Sequence, residues 1–283
     1  MRTAREMFAL FERVARSDER IRALTLEGSR VNPSVTPDVW QDYDITFLVT
    51  EVESFLRCDA WLEVFGERIF MQKPEAMELF PPDFPSGWFS YLMLFSDGAK
   101  IDLTLVPVSD VRKYFDQDPL IQVLLDKDGI CPEHPAPSDE RFWVGKPSAA
   151  FVYDCTNEFS LVCTYVAKGL LRGELLCANW FFQQVVHKEL LRMLGYLAGV
   201  RGGFPVNLGK HEKWLPRFLS GEEWARLRET YRLDSLDSAW RALYTAMDLF
   251  EGALAEVAAG LGCDCPEDVE RVKGYIEQIK AMG

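Results

Sequence analysis

The stretch Asp42-Tyr43-Asp44-Ile45-Thr46-Phe47-Leu48-Val49 decides the fold of this chain. Its apolar, β-branched second half is typical of a buried strand, and two aspartates stand two residues apart where that strand begins. Because side chains alternate between the faces of a strand, both carboxylates point to one face and the apolar residues to the core. An isolated Asp-x-Asp is more often a turn or a cap than a metal site, so the pair needs support from other residues.

A second strand, Ile101-Asp102-Leu103-Thr104-Leu105-Val106, carries a third carboxylate at its start. Three carboxylates on one face of a sheet would repel one another unless a cation lies between them. Mg²⁺ prefers oxygen ligands and shares them with substrate phosphates, and two metal ions can clamp the attacking and leaving oxygens of a displacement. The combination predicts a nucleotidyl-transfer site.

A third segment, Gly28-Ser29-Arg30, follows the predicted strand 23–27. Glycine allows the backbone to approach a ligand closely, and N–H groups in such a turn, with the serine hydroxyl, suit phosphate oxygens. Arg30 can add a bidentate, charge-assisted contact. The three segments together are far more specific than any one of them.

This Gly-Ser, Asp-x-Asp, Asp pattern resembles that of the DNA-polymerase-β-like nucleotidyltransferase superfamily. Within that superfamily the chain is similar to the aminoglycoside 6-adenylyltransferases, which modify streptomycin. The likeness covers essentially the whole chain, with one departure: Ser160-Leu161 stands where the family has an aromatic pair. Besides the acidic segments, the stretches that carry it are 28–33, 41–45, 71–82, 88–95, 165–170 and 188–193.

The resemblance implies transfer of AMP from Mg-ATP to a hydroxyl of an aminoglycoside, most simply the 6-position of streptomycin, which confers antibiotic resistance. It implies two Mg²⁺ ions, ATP as co-substrate, and catalytic and metal-binding roles for Asp42, Asp44 and Asp102. Asp102 is the best candidate to accept the proton of the acceptor hydroxyl. The expected nucleotide-binding residues are Gly28, Ser29, Arg30, Lys168, Arg192, Lys210 and Tyr231. The expected substrate-binding residues are Glu78, Asp83, Trp88 and Glu158.

The net charge indicates which binding partners suit this protein, and the cysteine pattern indicates its cellular compartment. The formal net charge is −13 and the pI is about 4.8, which argues against binding a nucleic-acid backbone and favours attraction of a cationic aminoglycoside. The seven cysteines include no Cys-x-x-Cys pair, and this fits a reducing cytoplasm. The sequence has no apolar run long enough to span a membrane and no secretory signal pattern.

The order of hydrophobic patterns predicts an α+β fold. The nucleotidyltransferase domain, residues 1–135, begins with an amphipathic helix over 2–18 and contains a mixed β-sheet flanked by helices. Within this domain, 109–129 is expected to be helical. A proline-rich linker is expected at about 131–147. Residues 148–283 then form a C-terminal α-helical bundle with long helices at 155–172, 174–200 and 235–260.

Two alternatives remain open from the residues alone. The departure at Ser160-Leu161 allows a nucleotidyltransferase that acts on another small acceptor or on a protein. A non-catalytic nucleotide-binding module that kept the fold is the other alternative, although the intact set of three aspartates speaks against it.

Overall fold

A computed structural model describes residues 2–282 and divides the chain into two compact units, Met1–Asp139 and Glu140–Gly283. The division falls inside the predicted linker 131–147. The strands are β1 Ile21–Glu27, β2 Tyr43–Val49, β3 Arg68–Gln72, β4 Phe89–Phe95, β5 Lys100–Pro107, β6 Ile121–Asp126, β7 Trp143–Val144 and β8 Val206–Asn207. The α-helices are α1 Ala4–Ser17, α2 Glu53–Leu56, α3 Val111–Phe115, α4 Ala149–Leu171, α5 Leu175–Phe181, α6 His187–Gly202, α7 Gly221–Glu229, α8 Leu236–Leu261 and α9 Asp268–Met282.

The first unit is built on a six-stranded mixed sheet with the order β3-β4-β5-β2-β1-β6. Its central pair, β2 and β5, is parallel, and the other neighbouring strands are antiparallel. Strands β2 and β5 are parallel because the chain between them crosses over through α2, β3 and β4. The α+β fold predicted from the sequence is confirmed.

Apolar residues at alternate positions of the strands bury one face of this sheet. The side chains of Tyr43, Ile45 and Leu103 join a core cluster with Phe11 of α1. The rings of Phe11 and Tyr43 meet edge to face with centroids 5.6 Å apart. Burying the odd-numbered residues of β2 turns Asp44 to the opposite face, which is how the hydrophobic pattern orients the carboxylates.

The second unit is helical, as predicted. Its core lies between α4, α6 and α8, where Phe159 and Phe250 stack with ring centroids 3.9 Å apart. Ser220 begins α7 with the capping box expected from the Ser-x-x-Glu spacing. Among residues 2–282, no helix is long and apolar enough to cross a bilayer.

Three of the expected segments differ in detail from the structure. Residues 109–129 are α-helical only at 111–115, after a 3₁₀ turn at Val108–Asp110, because 121–126 pairs with β1 as an edge strand. The helix expected over 174–200 is found as one continuous helical stretch from Leu175 to Gly202, and within it Phe182–Val186 forms a π-helical turn that the sequence did not indicate. The predicted linker contains the two-residue strand β7, which pairs with β8.

Candidate active site

A row of carboxylates crosses three neighbouring strands of the sheet. Asp44 of β2 is directly opposite Asp102 of β5, and on its other side it is opposite Glu27 of β1. Directly opposed residues in a sheet project to the same face, so the three side chains are neighbours. The expectation that Asp44 and Asp102 lie side by side on one face is confirmed by this register.

Asp42 joins the row through a lysine. The Nζ atom of Lys100 donates hydrogen bonds to Oδ2 of Asp42 at 2.7 Å and to Oδ2 of Asp102 at 2.6 Å. Lys100 and Asp102 are two residues apart in β5 and therefore share a face. The ammonium group supplies the cation that the sequence analysis required between the carboxylates, but Lys100 was not identified there. The alternation Lys-Ile-Asp was the signal that could have found it.

The electrostatics of the row follow from partial burial. Burial raises the pKa of the Asp44 carboxyl to about 7, and three neighbouring carboxyl groups, led by Asp102, add to the shift. Burial also raises the pKa of Asp102, although Lys100 acts in the opposite direction. Burial alone would lower the pKa of Lys100, but its hydrogen bonds to Asp102 and Asp42 outweigh that effect and raise it. A cation bound beside these carboxyl groups would relieve their mutual repulsion and lower the raised pKa of Asp44.

Glu27 is a fourth carboxyl group that the sequence analysis did not single out. One of its oxygens accepts hydrogen bonds from the hydroxyl of Thr46 at 2.5 Å and from that of Tyr114 at 2.6 Å. Burial raises the pKa of the Glu27 carboxyl, and these two hydrogen bonds oppose the rise. The sequence signal that could have identified Glu27 is its position as an acidic residue at the end of an otherwise apolar strand.

The Gly28–Arg30 turn brings the backbone against Asp44. Gly28 has φ +70°, and a Cβ atom added there would lie 2.3 Å from Oδ2 of Asp44. Only glycine fits this close approach and this backbone conformation. The N–H of Gly28 donates to the carbonyl of Leu120 at 3.3 Å, and the hydroxyl of Ser29 accepts from Gln41 at 3.4 Å. The glycine therefore positions a carboxylate, and its own N–H is already used within the protein.

Arg30 holds the backbone beside the aspartates. Its Nε donates to the carbonyl oxygen of Asp42 at 2.8 Å, and its Nη2 donates to that of Gln41 at 2.6 Å. The guanidinium carbon lies 3.7 Å from the centroid of the Tyr43 ring. The guanidinium group of Arg30 thus holds two backbone carbonyl groups, a contact that the sequence does not reveal.

A divalent metal is implied by the superfamily, and the donor set can be tested against it. Within residues 2–282, no three His, Cys, Asp or Glu side chains are placed so that they could already hold a metal ion. The carboxylates of Asp42 and Asp102 converge instead on the ammonium of Lys100. Oδ1 of Asp102 is buried and finds no hydrogen-bond partner among the described residues. An unpartnered carboxylate oxygen beside two more carboxylates fits a hard cation such as Mg²⁺ once the ammonium has moved.

The predicted nucleotide-binding residues of the second unit have different surroundings. Lys168 of α4 and Lys210 of a short 3₁₀ turn are exposed. The Nε of Arg192 donates to the buried carboxylate of Glu189 at 2.6 Å. Tyr231 is 61% exposed, which leaves most of its ring free to contact a ligand.

His187 packs against Tyr231 at the end of the π-helical turn. The two rings meet edge to face with centroids 4.4 Å apart. Nε2 of His187 is buried, and the part of the chain that the structure describes offers it no hydrogen-bond partner. Burial lowers the pKa of His187 to about 4. A histidine in this state is held neutral in the folded protein.

The neutral state of His187 predicts a pH-dependent stability. The unfolded chain binds a proton at His187 below about pH 6.5 and the folded chain only below about pH 4, so stability falls as the pH drops between these values. We expect this residue to cost about 2–3 kcal/mol of unfolding free energy over that range. In a His187→Phe variant this component should disappear, as measured by urea unfolding at a series of pH values. An identical profile for His187→Phe and the unmodified protein would contradict the assignment.

The structure corrects one of the predicted substrate-binding residues, Trp88. Trp88 is only 3% exposed, its Nε1 donates to Asp110 at 2.9 Å, and its ring packs against Tyr114 in a small core cluster. Trp88 is a core residue, and its side chain cannot line a ligand site in this conformation. Glu78 and Asp83 lie exposed on the proline-rich loop between β3 and β4.

Glu158 and the departure beside it lie on α4. The Glu158 side chain is exposed, as a residue that binds a cationic ligand must be. Ser160 is buried, and its hydroxyl makes no hydrogen bond within the described range 2–282. Leu161 is 47% exposed. The side chains of Ser160 and Leu161 therefore have different surroundings, the first in the helical core and the second in solvent.

Comparison with known proteins gives one consistent result. The family model described as streptomycin adenylyltransferase matches residues 1–279. The chain is 45% identical over 280 residues to an aminoglycoside 6-adenylyltransferase of Bacillus subtilis (strain 168), covering 99% of this chain and 98% of the relative. It is 44% identical over 284 residues to one of Campylobacter jejuni, covering 100% and 98%. A crystal structure of an aminoglycoside 6-adenyltransferase from Bacillus subtilis is 41% identical, with 99% of both chains covered and a TM-score of 0.48.

Proposed function

Because this chain belongs to the streptomycin adenylyltransferase family and is an aminoglycoside nucleotidyltransferase, we propose that it transfers AMP from Mg-ATP to the 6-hydroxyl of streptomycin. Pyrophosphate leaves, and the modified drug no longer inhibits the host, so the activity confers resistance. The observation that carries this proposal is the row formed by Asp44 and Asp102 with Asp42 beside it.

Asp42, Asp44 and Asp102 would hold the divalent metal. When bound, Mg²⁺ supplies electrostatic stabilisation of the charge on the transferring phosphoryl group. The sheet register fixes Asp44 against Asp102, and Arg30 fixes the backbone that carries Asp42. The protein therefore contributes carboxylates whose positions are set before any ligand arrives.

Asp102 is also the proposed general base. The acceptor hydroxyl oxygen forms a bond to the α-phosphorus of ATP while the bond from that phosphorus to the pyrophosphate oxygen breaks, and the hydroxyl proton passes to Asp102. Its raised pKa favours this role, because a more basic carboxylate accepts a proton more readily, and the group has two oxygens, so one can hold the metal while the other accepts the proton.

Other residues would bind the two substrates. For the nucleotide, we assign Ser29 to a phosphate oxygen, Tyr231 to stacking on adenine, and the cations Lys168, Arg192 and Lys210 to the triphosphate. For the acceptor, exposed Glu78, Asp83 and Glu158 suit the guanidinium and ammonium groups of an aminoglycoside. The net charge of −13 would raise the rate at which a polycation meets the protein.

The experiment that tests the proposal is transfer of labelled AMP to a set of acceptors. The purified protein is incubated with labelled ATP, MgCl₂ and either streptomycin, other aminoglycosides, or no acceptor. We expect one AMP adduct on streptomycin by mass spectrometry, its position assigned to the 6-hydroxyl by NMR, and none in EDTA. Transfer to no aminoglycoside by a folded protein that binds ATP would contradict the proposal.

A second candidate acceptor is favoured by one observation. Leu161 is exposed where the resemblance leads us to expect an aromatic residue, so a surface there would offer an acceptor a different chemistry. Adenylylation of another small acceptor or of a protein would appear in the same experiment as label on that acceptor and not on streptomycin.

The cytoplasm, with its ATP and reduced thiols, is the proposed location of the enzyme.

A further inference from the structure

The ammonium of Lys100 occupies the point on which two proposed metal ligands converge. Its Nζ lies 2.7 Å from Oδ2 of Asp42 and 2.6 Å from Oδ2 of Asp102. Mg²⁺ binds carboxylate oxygens at about 2.0–2.1 Å. An ion bound to the same two oxygens would therefore lie within a few ångströms of the ammonium, where the two positive charges repel strongly. The lysine and the metal cannot share these oxygens.

The surroundings of Lys100 allow an exchange. Its side chain is 38% exposed, so the ammonium has solvent to move into. The Asp102 side chain is less exposed, at 24%, and is fixed to a central strand, so the carboxylate stays where it is when the lysine leaves. Ion pairs at this level of exposure contribute little net free energy, which keeps the exchange reversible.

We propose that Lys100 is a placeholder cation that holds Asp42 and Asp102 together in the metal-free enzyme and that Mg²⁺ must displace. Lys100 is thus a positioning residue that acts through the two carboxylates. The inference rests on the proposed function only in placing a divalent metal at these carboxylates, and it requires neither a particular acceptor nor AMP transfer.

The first test is a magnesium titration by calorimetry without ATP or acceptor. Lys100→Met removes the competing charge and keeps the aliphatic stem, so the apparent Kd for Mg²⁺ should fall roughly five- to tenfold. Lys100→Arg keeps a cation in place and should not tighten binding. Lys73→Met is the matched control, since Lys73 pairs with Asp59 at 2.5 Å in the same unit with a similar exposure of 32%, and its removal should leave the Kd unchanged.

A merely structural role for Lys100 would give the opposite sign, because loosened carboxylates bind Mg²⁺ more weakly. Weaker or unchanged binding in Lys100→Met would overturn the inference, as would a lack of Mg²⁺ binding by both the variant and the unmodified protein. If Mg²⁺ binding tightens as expected and no acceptor receives AMP, the proposed function fails and this inference stands.

A second measurement uses the unmodified chain and avoids any loss of folding in the variant. An amine-reactive acetylating reagent labels lysines in proportion to the access of the amine, and peptide mass spectrometry reads each site. Adding Mg²⁺ should raise the labelling of Lys100 at least severalfold, because the amine leaves its two carboxylates, while that of Lys73 stays constant. Labelling of Lys100 that falls or does not change on adding Mg²⁺ would overturn the proposal.

Discussion

Replacing Asp102 by asparagine is expected to lower kcat for AMP transfer by about a thousandfold. The substitution keeps the size of the side chain and its place in β5 but removes the negative charge and the basic oxygen. Both proposed roles of Asp102, holding the metal and accepting the proton, depend on the negatively charged carboxylate. The measurement is the rate of labelled AMP transfer at saturating ATP and acceptor, with Mg²⁺ binding followed by calorimetry on the same preparation.

Asp97→Asn is the matched control for this prediction. Asp97 lies in the turn before β5 and pairs with Arg2 at 2.7 Å, on the same unit but outside the carboxylate row. Its loss should reduce stability slightly and leave kcat within about twofold, as for a partly exposed pair. Full activity in Asp102→Asn would remove Asp102 from the mechanism. Normal Mg²⁺ binding with a thousandfold lower kcat would assign it to proton transfer alone.

The second large effect is expected at Gly28. In Gly28→Ala, the added Cβ would lie 2.3 Å from Oδ2 and 3.1 Å from Cγ of Asp44, so that carboxylate must move. Displacement of a catalytic group by about 1 Å can cost a hundredfold in rate, and we expect a loss of kcat of at least that size. The left-handed backbone adds a cost of about 1–2 kcal/mol in stability, measured by thermal or urea unfolding.

Gly129→Ala separates the two contributions. Gly129 has φ +67°, close to the +70° of Gly28, but a Cβ added there meets no atom within 4 Å. The control should show the same backbone cost in unfolding free energy and no change in kcat. Equal activity in the two alanine variants would mean that the contact between Gly28 and Asp44 has no catalytic importance.

The placement of the aspartates on one face of the sheet could be predicted from the sequence, because side chains alternate strictly between the two faces of a strand. Burying Ile45 and Leu103 in the core leaves Asp44 and Asp102 only one face to occupy, and this was predicted before their register was known. The long helices of the second unit were likewise predictable, since α4 and α8 have continuous helical periodicity.

The groups around the carboxylates could not be predicted from the sequence, because each depends on contacts between residues that are distant in the chain. Lys100 reaches Asp42 across 58 positions, and Arg30 is held by carbonyl groups, which have no sequence signature. Because Trp88 follows a proline-rich loop, its sequence position suggests an aromatic residue that lines a ligand site. Its indole N–H instead donates to Asp110, and its ring packs in the core. Short strands after helix signals, such as β6, are ambiguous because tertiary pairing decides them.

The parallel register of β2 and β5 also bears on how the enzyme becomes active after synthesis. Sliding either strand by one residue would turn Ile45 or Leu103 to solvent and an aspartate into the apolar interior. A mispaired chain would thus lose its hydrophobic stabilisation and its catalytic constellation together. Newly made protein therefore needs only the correct strand register to bring the side chains of Asp44 and Asp102 together.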